Sequence, residues 1–442
     1  MISNSDITVT NSGPRLRMAQ TPGFEGSAVY GLAAPMQISP TEVAVFLNLR
    51  VCGVAVVDLE AGVDLLIFDH LDQVREERAV PLLRTARTTH PTTGEEIVLV
   101  QYPIMGGFVP LGALLPDGTP HPHAGTGFGL SQGLGYPGDH STTRPAHNED
   151  IHRIFELHQF RYDGTDFTVT SSELLTPEQV MPGWTCYNRP INNAIADGTD
   201  LLMAMVMGRD GTLHGSGFSR WRCGDDGWRP VDYVPVTDYD TSFEPGLVRD
   251  TDGSLLFCAR GMGTEGVSKD EVAKLAPELW RRIQVWRSTD NGAQWQQVIS
   301  RDGLRPWSPV VINTTASGQP FIAGNLWSEQ THGPTGKEIK MAWRRSQLVL
   351  WPLNEARDDV EEPITILDGE ATLGPCPSDM SWYLDHPIGA VLRLGDGKWH
   401  SLVFFRVGDI EEVISDAMPV PATGTWIEEV IDGGEVQGVW KF

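Results

Sequence analysis

The sequence predicts an all-β protein, a six- or seven-bladed β-propeller with seven blades favoured, and three observations carry that prediction. Asp-Gly pairs recur between short apolar runs from 117–118 to 432–433, which is the punctuation of a chain of β-hairpins. Helical periodicity is scarce, and residues 269–283 form the one convincing short helix. Segments that run from an Asp-Gly or Ser-Gly turn into an apolar strand open near residues 117, 197, 252, 318 and 396. Their long intervals imply four-stranded blades with loop insertions on one face, and 442 residues at roughly 45 to 75 per blade make about six to nine.

Taken in order, residues 42–48, 201–207, 254–260, 283–286 and 399–406 are the clearest strands, each alternating or running apolar. Residues 118–150, rich in Gly, His, Pro and Thr, are expected to be the longest irregular insertion. No low-complexity linker divides the chain, so residues 1–442 are expected to form a single domain.

Composition narrows the function classes. With 40% hydrophobic and 21% charged residues and no long uninterrupted apolar segment, the chain reads as globular, with no membrane partner. The formal charge of −25, from 58 acidic against 33 basic residues, repels phosphate backbones and argues against a nucleic-acid partner. An anionic substrate would need a local arginine cluster to overcome that field. The N-terminus has no basic region followed by an apolar one, which predicts a cytoplasmic protein, or a secreted one if a signal has been removed. Five scattered cysteines without CxxC spacing argue against a disulfide framework or a thiolate zinc site, and Cys186 and Cys258 read as buried, reduced thiols. No metal ligand set is assigned; a structural divalent ion is the one cofactor the reading admits, and none is required. The chain also lacks GxxxxGK[ST], HExxH and GxSxG, and no helix pattern follows Gly125-Thr126-Gly127-Phe128-Gly129.

The stretch Ser288-Thr289-Asp290-Asn291-Gly292-Ala293-Gln294-Trp295 has the S-x-D-x-G-x-x-W pattern of an Asp box. Ser288 and Asp290 can bond the backbone of a tight turn, Asn291-Gly292 suits a type I′ hairpin, and Trp295 can fold back over it. The box is a structural device, and it resembles the hairpin signature of sialidase-type propellers. Phe243-Glu244-Pro245-Gly246 followed after a hairpin by Arg260 resembles a sialidase blade. In that family the Glu polarises a nucleophilic tyrosine and the Arg grips the substrate carboxylate. The plainer reading is that Glu244 caps a turn and Arg260 pairs with it. The chain departs from the family in lacking the F/Y-R-I-P string near its start, and in carrying one good Asp box rather than several.

Half of the 12 histidines, namely His121, His123, His140, His147, His152 and His158, fall in or just beyond the expected insertion. Imidazoles on glycine-rich loops suit proton transfer. Residues 105–265 are similar in this to the propeller polysaccharide lyases, ulvan lyases and rhamnose-glucuronate lyases. The resemblance implies β-elimination from a uronate, with His123 and His140 as acid/base groups and Tyr187 as a second proton-transfer group. Arg189 or Arg260 would neutralise the carboxylate, without which the C5 proton is barely acidic. His121 would then assist binding. A second aromatic group, Trp382-Tyr383-Leu384-Asp385-His386, offers a sugar platform in Trp382, Tyr383 and His386, or else a packed strand with an Asp-His turn. The expected activity is thus cleavage of an acidic oligosaccharide or polysaccharide beside a carboxylate-bearing sugar, by a lyase. The alternatives are a sialidase-like exo-glycosidase using Tyr383 with Glu244, and a non-catalytic sugar-binding propeller.

Overall fold

Residues 201–206 are buried at every position, so this strand has no water-facing side and must lie in a sheet covered on both faces. The computed structural model shows how. It describes residues 6–10, 16–17, 28–32, 35–50, 61–70, 73–80, 86–137, 152–184, 186–188, 193–209, 212–237, 243–260, 282–304, 308–327, 332, 336, 338, 345–376, 381–409 and 424–442. These fold into six antiparallel sheets, the blades of a six-bladed propeller.

The first blade contains Ala28–Leu32 and Met36–Gln37, Val43–Arg50, Ala61–His70 and Gln73–Val80. The second is built on Glu96–Val109, Thr126–Pro137, His152–Tyr162 and Phe167–Leu175, and the third on Cys186–Asn188 with Ile195–Asp197, Asp200–Arg209, Thr212–Gly224 and Gly227–Pro235. Phe243–Arg249, Leu255–Arg260, Arg282–Ser288 and Gln296–Asp302 make the fourth; Val310–Thr314, Pro320–Asn325, Gln347–Pro352 and Ile364–Asp368 make the fifth. The sixth takes Trp382–Arg393, Trp399–Asp409 and Gly424–Ile431 from late in the chain, and its outer strand, Thr8–Thr10, from the start. Thr8 pairs with Ile431 and Thr10 with Glu429, which closes the ring.

The apolar core is divided into layers between blades. Leu202, Phe218, Leu247 and Phe257 fill the space between the third and fourth blades. Val285, Ile312, Ile322 and Val349 do so between the fourth and fifth, and Phe321, Leu350, Leu384 and Phe405 between the fifth and sixth. Burial on both faces is why these strands read as continuous apolar runs rather than alternating ones.

The count is six rather than the favoured seven. Glu96–Val109 and Thr126–Pro137 run 14 and 12 residues, so long strands take up the length that suggested another blade. The expected insertion 118–150 is also corrected, because its middle is a central strand. Gly127, Gly129, Gly133 and Gly135 alternate with larger residues there, and a Cβ at Gly129 would lie 2.6 Å from the Phe160 ring. The glycines let neighbouring side chains cross the strand's face. Of the expected helix 269–283, Arg282 and Ile283 begin the strand Arg282–Ser288, and the rest lies outside the described residues.

The turns near 197, 252, 318 and 396 each join the first and second strands of blades three to six. The repeat read from sequence therefore marks one face of the ring. The hairpin at Ser288 is held as expected: Ser288 Oγ donates to Asp290 Oδ1 at 2.8 Å, the Gly292 and Gln294 amides bond Ser288 Oγ and Asp290 Oδ1, and Trp295 Nε1 donates to Gly292 O at 3.0 Å. Those backbone bonds and the Ser288 hydroxyl hold the Asp290 carboxyl below the usual carboxylate range, the Gln294 amide contributing most. No helix among the described residues is long and apolar enough to cross a membrane.

Candidate active site

An up-and-down blade has two ends. One carries the turn between its first two strands; the other carries the start of the first strand and the end of the second. Phe243–Arg249 has seven residues, so at ~3.3 Å per residue the two ends stand about 20 Å apart. Glu244 and Arg260 lie at the end away from the turn, and Tyr383 and His386 lie at the corresponding end of the sixth blade.

Two bulges bring them together. The register slips between Phe243 and Gly246 in the fourth blade, and between Asp385 and Ile388 in the sixth. In each, the displaced residue precedes a proline and has φ of 48°: Glu244 before Pro245, His386 before Pro387. Left-handed backbone in a non-glycine residue costs free energy and persists where the surroundings enforce it, often at functional sites. Both bulges aim their side chains at one place, with His386 Nε2 3.7 Å from Glu244 Oε1. Each bulge also faces an arginine on the second strand, since Arg260 pairs with Phe243 and Arg406 with Asp385.

Glu244, 4% exposed, accepts a 2.6 Å bond from Arg260 Nη1. Charge and hydrogen bond act together in that pair. The Arg260 Nε is buried and has no hydrogen-bond partner among the described residues. Tyr383, 3% exposed, accepts from Arg345 Nη1 at 2.7 Å. The Arg345 and Arg406 guanidinium carbons lie 5.0 and 5.5 Å from its ring centroid. Two cations against one phenol stabilise negative charge on it. Asn325 fixes the frame, since its Nδ2 donates to Leu384 O at 3.0 Å and to Gln347 O at 3.2 Å, tying the segment that bears Arg345 to the strand that bears Tyr383.

Glu244, Arg260 and His386 thus meet, Tyr383 is held by Arg345 and Arg406, and the two sets lie at the same end of the ring. Arg406 had a readable signal. Like Arg260, it follows a buried apolar run, residues 402–405, on a blade's second strand. Arg345 stands just before the apolar strand Gln347–Pro352, and nothing in the sequence distinguished it from a strand-flanking charge.

Other expected site residues lie elsewhere. His121 sits in the connection between the first two strands of the second blade, and its Nε2 is 3.2 Å from Gly198 O in the matching turn of the third. It is buried, which pushes its imidazole below the usual histidine value. His123 is in the same loop, its ring 5.7 Å from that of Trp228. Both are at the turn end, so a site combining His123 with Arg260 is not assembled. The physical reason is topological: His121 and His123 lie in the connection 110–125 between the first and second strands, which emerges on the turn face. Trp382 is corrected as well. It points to the side opposite Tyr383, packs in the layer between the fifth and sixth blades, and donates Nε1 to Gly374 O at 2.8 Å, so its ring is not offered to a ligand. Tyr187 lies on the strand Cys186–Asn188, paired with Met207 at the site end of the third blade. His140 and Arg189 lie outside the described residues. Among the described residues no group of three or more His, Cys, Asp or Glu side chains is placed to hold a metal ion. Cys258 is free and buried, its thiol pushed up to about 12 by burial.

The fold and this face define a six-bladed propeller with an arginine-rich site around a tyrosine and a carboxylate. No family model and no curated protein matches the chain. Among solved structures it is similar to a Dyadobacter fermentans protein of unknown function, at 13% identity and a TM-score of 0.54, covering 98% of this chain and 100% of that one. It is also similar to a Trypanosoma rangeli sialidase mutant displaying trans-sialidase activity, at 10% identity and 0.48, covering 97% of this chain and 59% of that one. A third is the Fusarium graminearum α-L-arabinofuranosidase, at 11% and 0.48, covering 97% and 99%. At such identities the likeness is one of fold.

Proposed function

We propose that the protein is a sialidase-like glycosidase acting on a sugar that bears a carboxylate. The observation that carries this reading is the Tyr383 phenol, bonded by Arg345 and flanked by Arg406, at the same end of the ring as the Glu244–Arg260 pair and His386. Tyr383 Oη attacks the anomeric carbon as the glycosidic C–O bond breaks; its own proton passes to Glu244, and the departing aglycone oxygen leaves as an alcohol by taking a proton from a water molecule. Arg345 holds the charge that develops on the phenol oxygen. The arginines grip the substrate carboxylate and supply the local positive field that a chain of net charge −25 otherwise lacks. Water then cleaves the glycosyl-tyrosine bond.

Elimination is the second reading, because Tyr383 and His386 on one bulged strand, among arginines, also make a His/Tyr/Arg set. A panel of sialosides and uronate-containing oligosaccharides separates the two. The expected result is release of free sugar without the ultraviolet absorbance of an unsaturated uronate, abolished in Tyr383→Phe. Appearance of that absorbance would replace hydrolysis by elimination. Binding without cleavage of any member would leave a sugar-binding propeller.

A further inference from the structure

Glu244 and His386 stand on the fourth and sixth blades, which are not neighbours in the ring. Neither strand pairing nor packing between adjacent blades brings such residues together. Four non-glycine residues have positive φ among the described residues, and two of them, each in a bulge ahead of a proline, face each other here. Such backbone is disfavoured twice over, by the left-handed region and by the following proline, and it is retained where the surroundings enforce it. What it produces is an enclosure for one carboxyl group. Arg260 Nη1 donates to Glu244 Oε2 at 2.6 Å, while His386 Nε2 stands 3.7 Å from Oε1. The first is a hydrogen bond, and the second is too long for one. A carboxyl group tethered through one oxygen still turns about its terminal torsion, which is broad and soft. The imidazole beside the other oxygen limits that turn.

We propose that His386 is a positioning residue, which holds the Glu244 carboxyl group in one orientation for taking up the Tyr383 proton. The inference rests on the glycosidase reading, in which Glu244 receives that proton, and adds a residue that acts through Glu244 without touching the reacting atoms. Proton transfer requires the acceptor oxygen to be aligned and within hydrogen-bond reach, so a carboxyl group left to rotate is productive for a smaller fraction of the time. The loss then falls on kcat, because ground-state binding of the sugar does not use this orientation. A histidine that served only to pack the bulge would be felt in stability instead.

His386→Gln and His386→Asn carry the same amide one methylene apart. Gln sets its amide nitrogen near the place of Nε2, whereas Asn accepts left-handed backbone readily but stops short of Glu244. kcat and KM for a cleaved member of the sugar panel, urea midpoints and crystal structures of both variants are compared with wild type. The expected result is kcat lowered about 10- to 100-fold in the Asn variant and recovered to within about three-fold of wild type in the Gln variant. KM and urea midpoints should change little, and the Glu244 carboxyl group should be turned away only in the Asn crystal structure. Equal kcat in the two variants, or a loss that follows the urea midpoint, overturns the proposal; so does an Asn crystal structure in which Glu244 is unmoved. If the wild type cleaves no member of the panel, or forms an unsaturated uronate, the glycosidase reading fails on its own, and the Glu244 orientation in the Asn structure decides the positioning role. His386→Ala replaces the Asn variant should that one not fold.

Discussion

Glu244 and His386 spend conformational free energy to point at each other, and the arginines opposite them make that arrangement hold. Removing Arg260 strands a carboxylate that is 4% exposed. Arg260→Ala is therefore expected to cost about 2–4 kcal/mol by urea denaturation, and Arg260→Leu with Glu244→Leu to recover most of it. Costs that simply add in the double variant would show that the pair is not coupled. Tyr383→Phe separates chemistry from packing. It removes one hydrogen bond from Arg345 and should lower stability by about 1 kcal/mol. Turnover of a cleaved sugar should fall at least ~10²-fold, with KM changed far less. A proportionate loss of stability and activity would instead make the phenol a structural group.

Among the elements, the hairpin closed by Ser288 and Trp295 is a pin between blades. Asn291 and Gly292 both have positive φ, at 58° and 95°. Asn291 Nδ2 reaches Asp197 Oδ2 of the third blade at 3.2 Å, and Arg357, at φ 61°, reaches Asp250 of the fourth in the same manner. A Cβ at Gly292 would lie 2.4 Å from the Phe218 ring. Gly292→Ala should then cost about 2–4 kcal/mol in thermal or urea unfolding while leaving sugar binding at the Tyr383 face unaltered; a neutral substitution would show that the ring yields freely. This hairpin, the Asp-Gly turns and the doubly buried strands were readable because each is set by residues close in sequence. The strand Thr126–Pro137 was hidden because its period-2 signal is glycine against larger residues rather than polar against apolar. The bulges had a sign, Glu-Pro and His-Pro inside strand patterns, but the meeting of Glu244 with His386 depends on the fifth blade between them. No local rule reports it. The loop bearing His121 and His123 misled for the same reason, since its residue types suit catalysis while its place in the topology puts it on the turn face.

At the scale of the whole ring, two histidines give opposite pH responses. Burial pushes the His158 imidazole down to about 3. With the folded value below the ordinary 6.5, its contribution is complete above about pH 6.5 and is lost as pH falls toward 3. For His400, burial acts downward, but bonds to Glu429 at 2.6 Å and Asp396 at 3.2 Å outweigh it and raise the value. Its contribution is complete below about 6.5 and lost as pH rises through the raised folded value. Urea midpoints measured across pH should decline on the acid side less steeply in His158→Phe, and on the neutral-to-alkaline side less steeply in His400→Gln; unchanged slopes would assign the pH dependence to other groups. The pairing of Thr8 with Ile431 has a consequence for biosynthesis. At about 5–20 residues per second, the partner of the Thr8–Thr10 strand emerges from the ribosome on the order of tens of seconds later. For that interval the nascent chain carries an unmatched strand at one end and a growing open arc of blades behind it. An open arc offers edges that other chains can join, so the last blade to be translated is also the one that withdraws the molecule from aggregation.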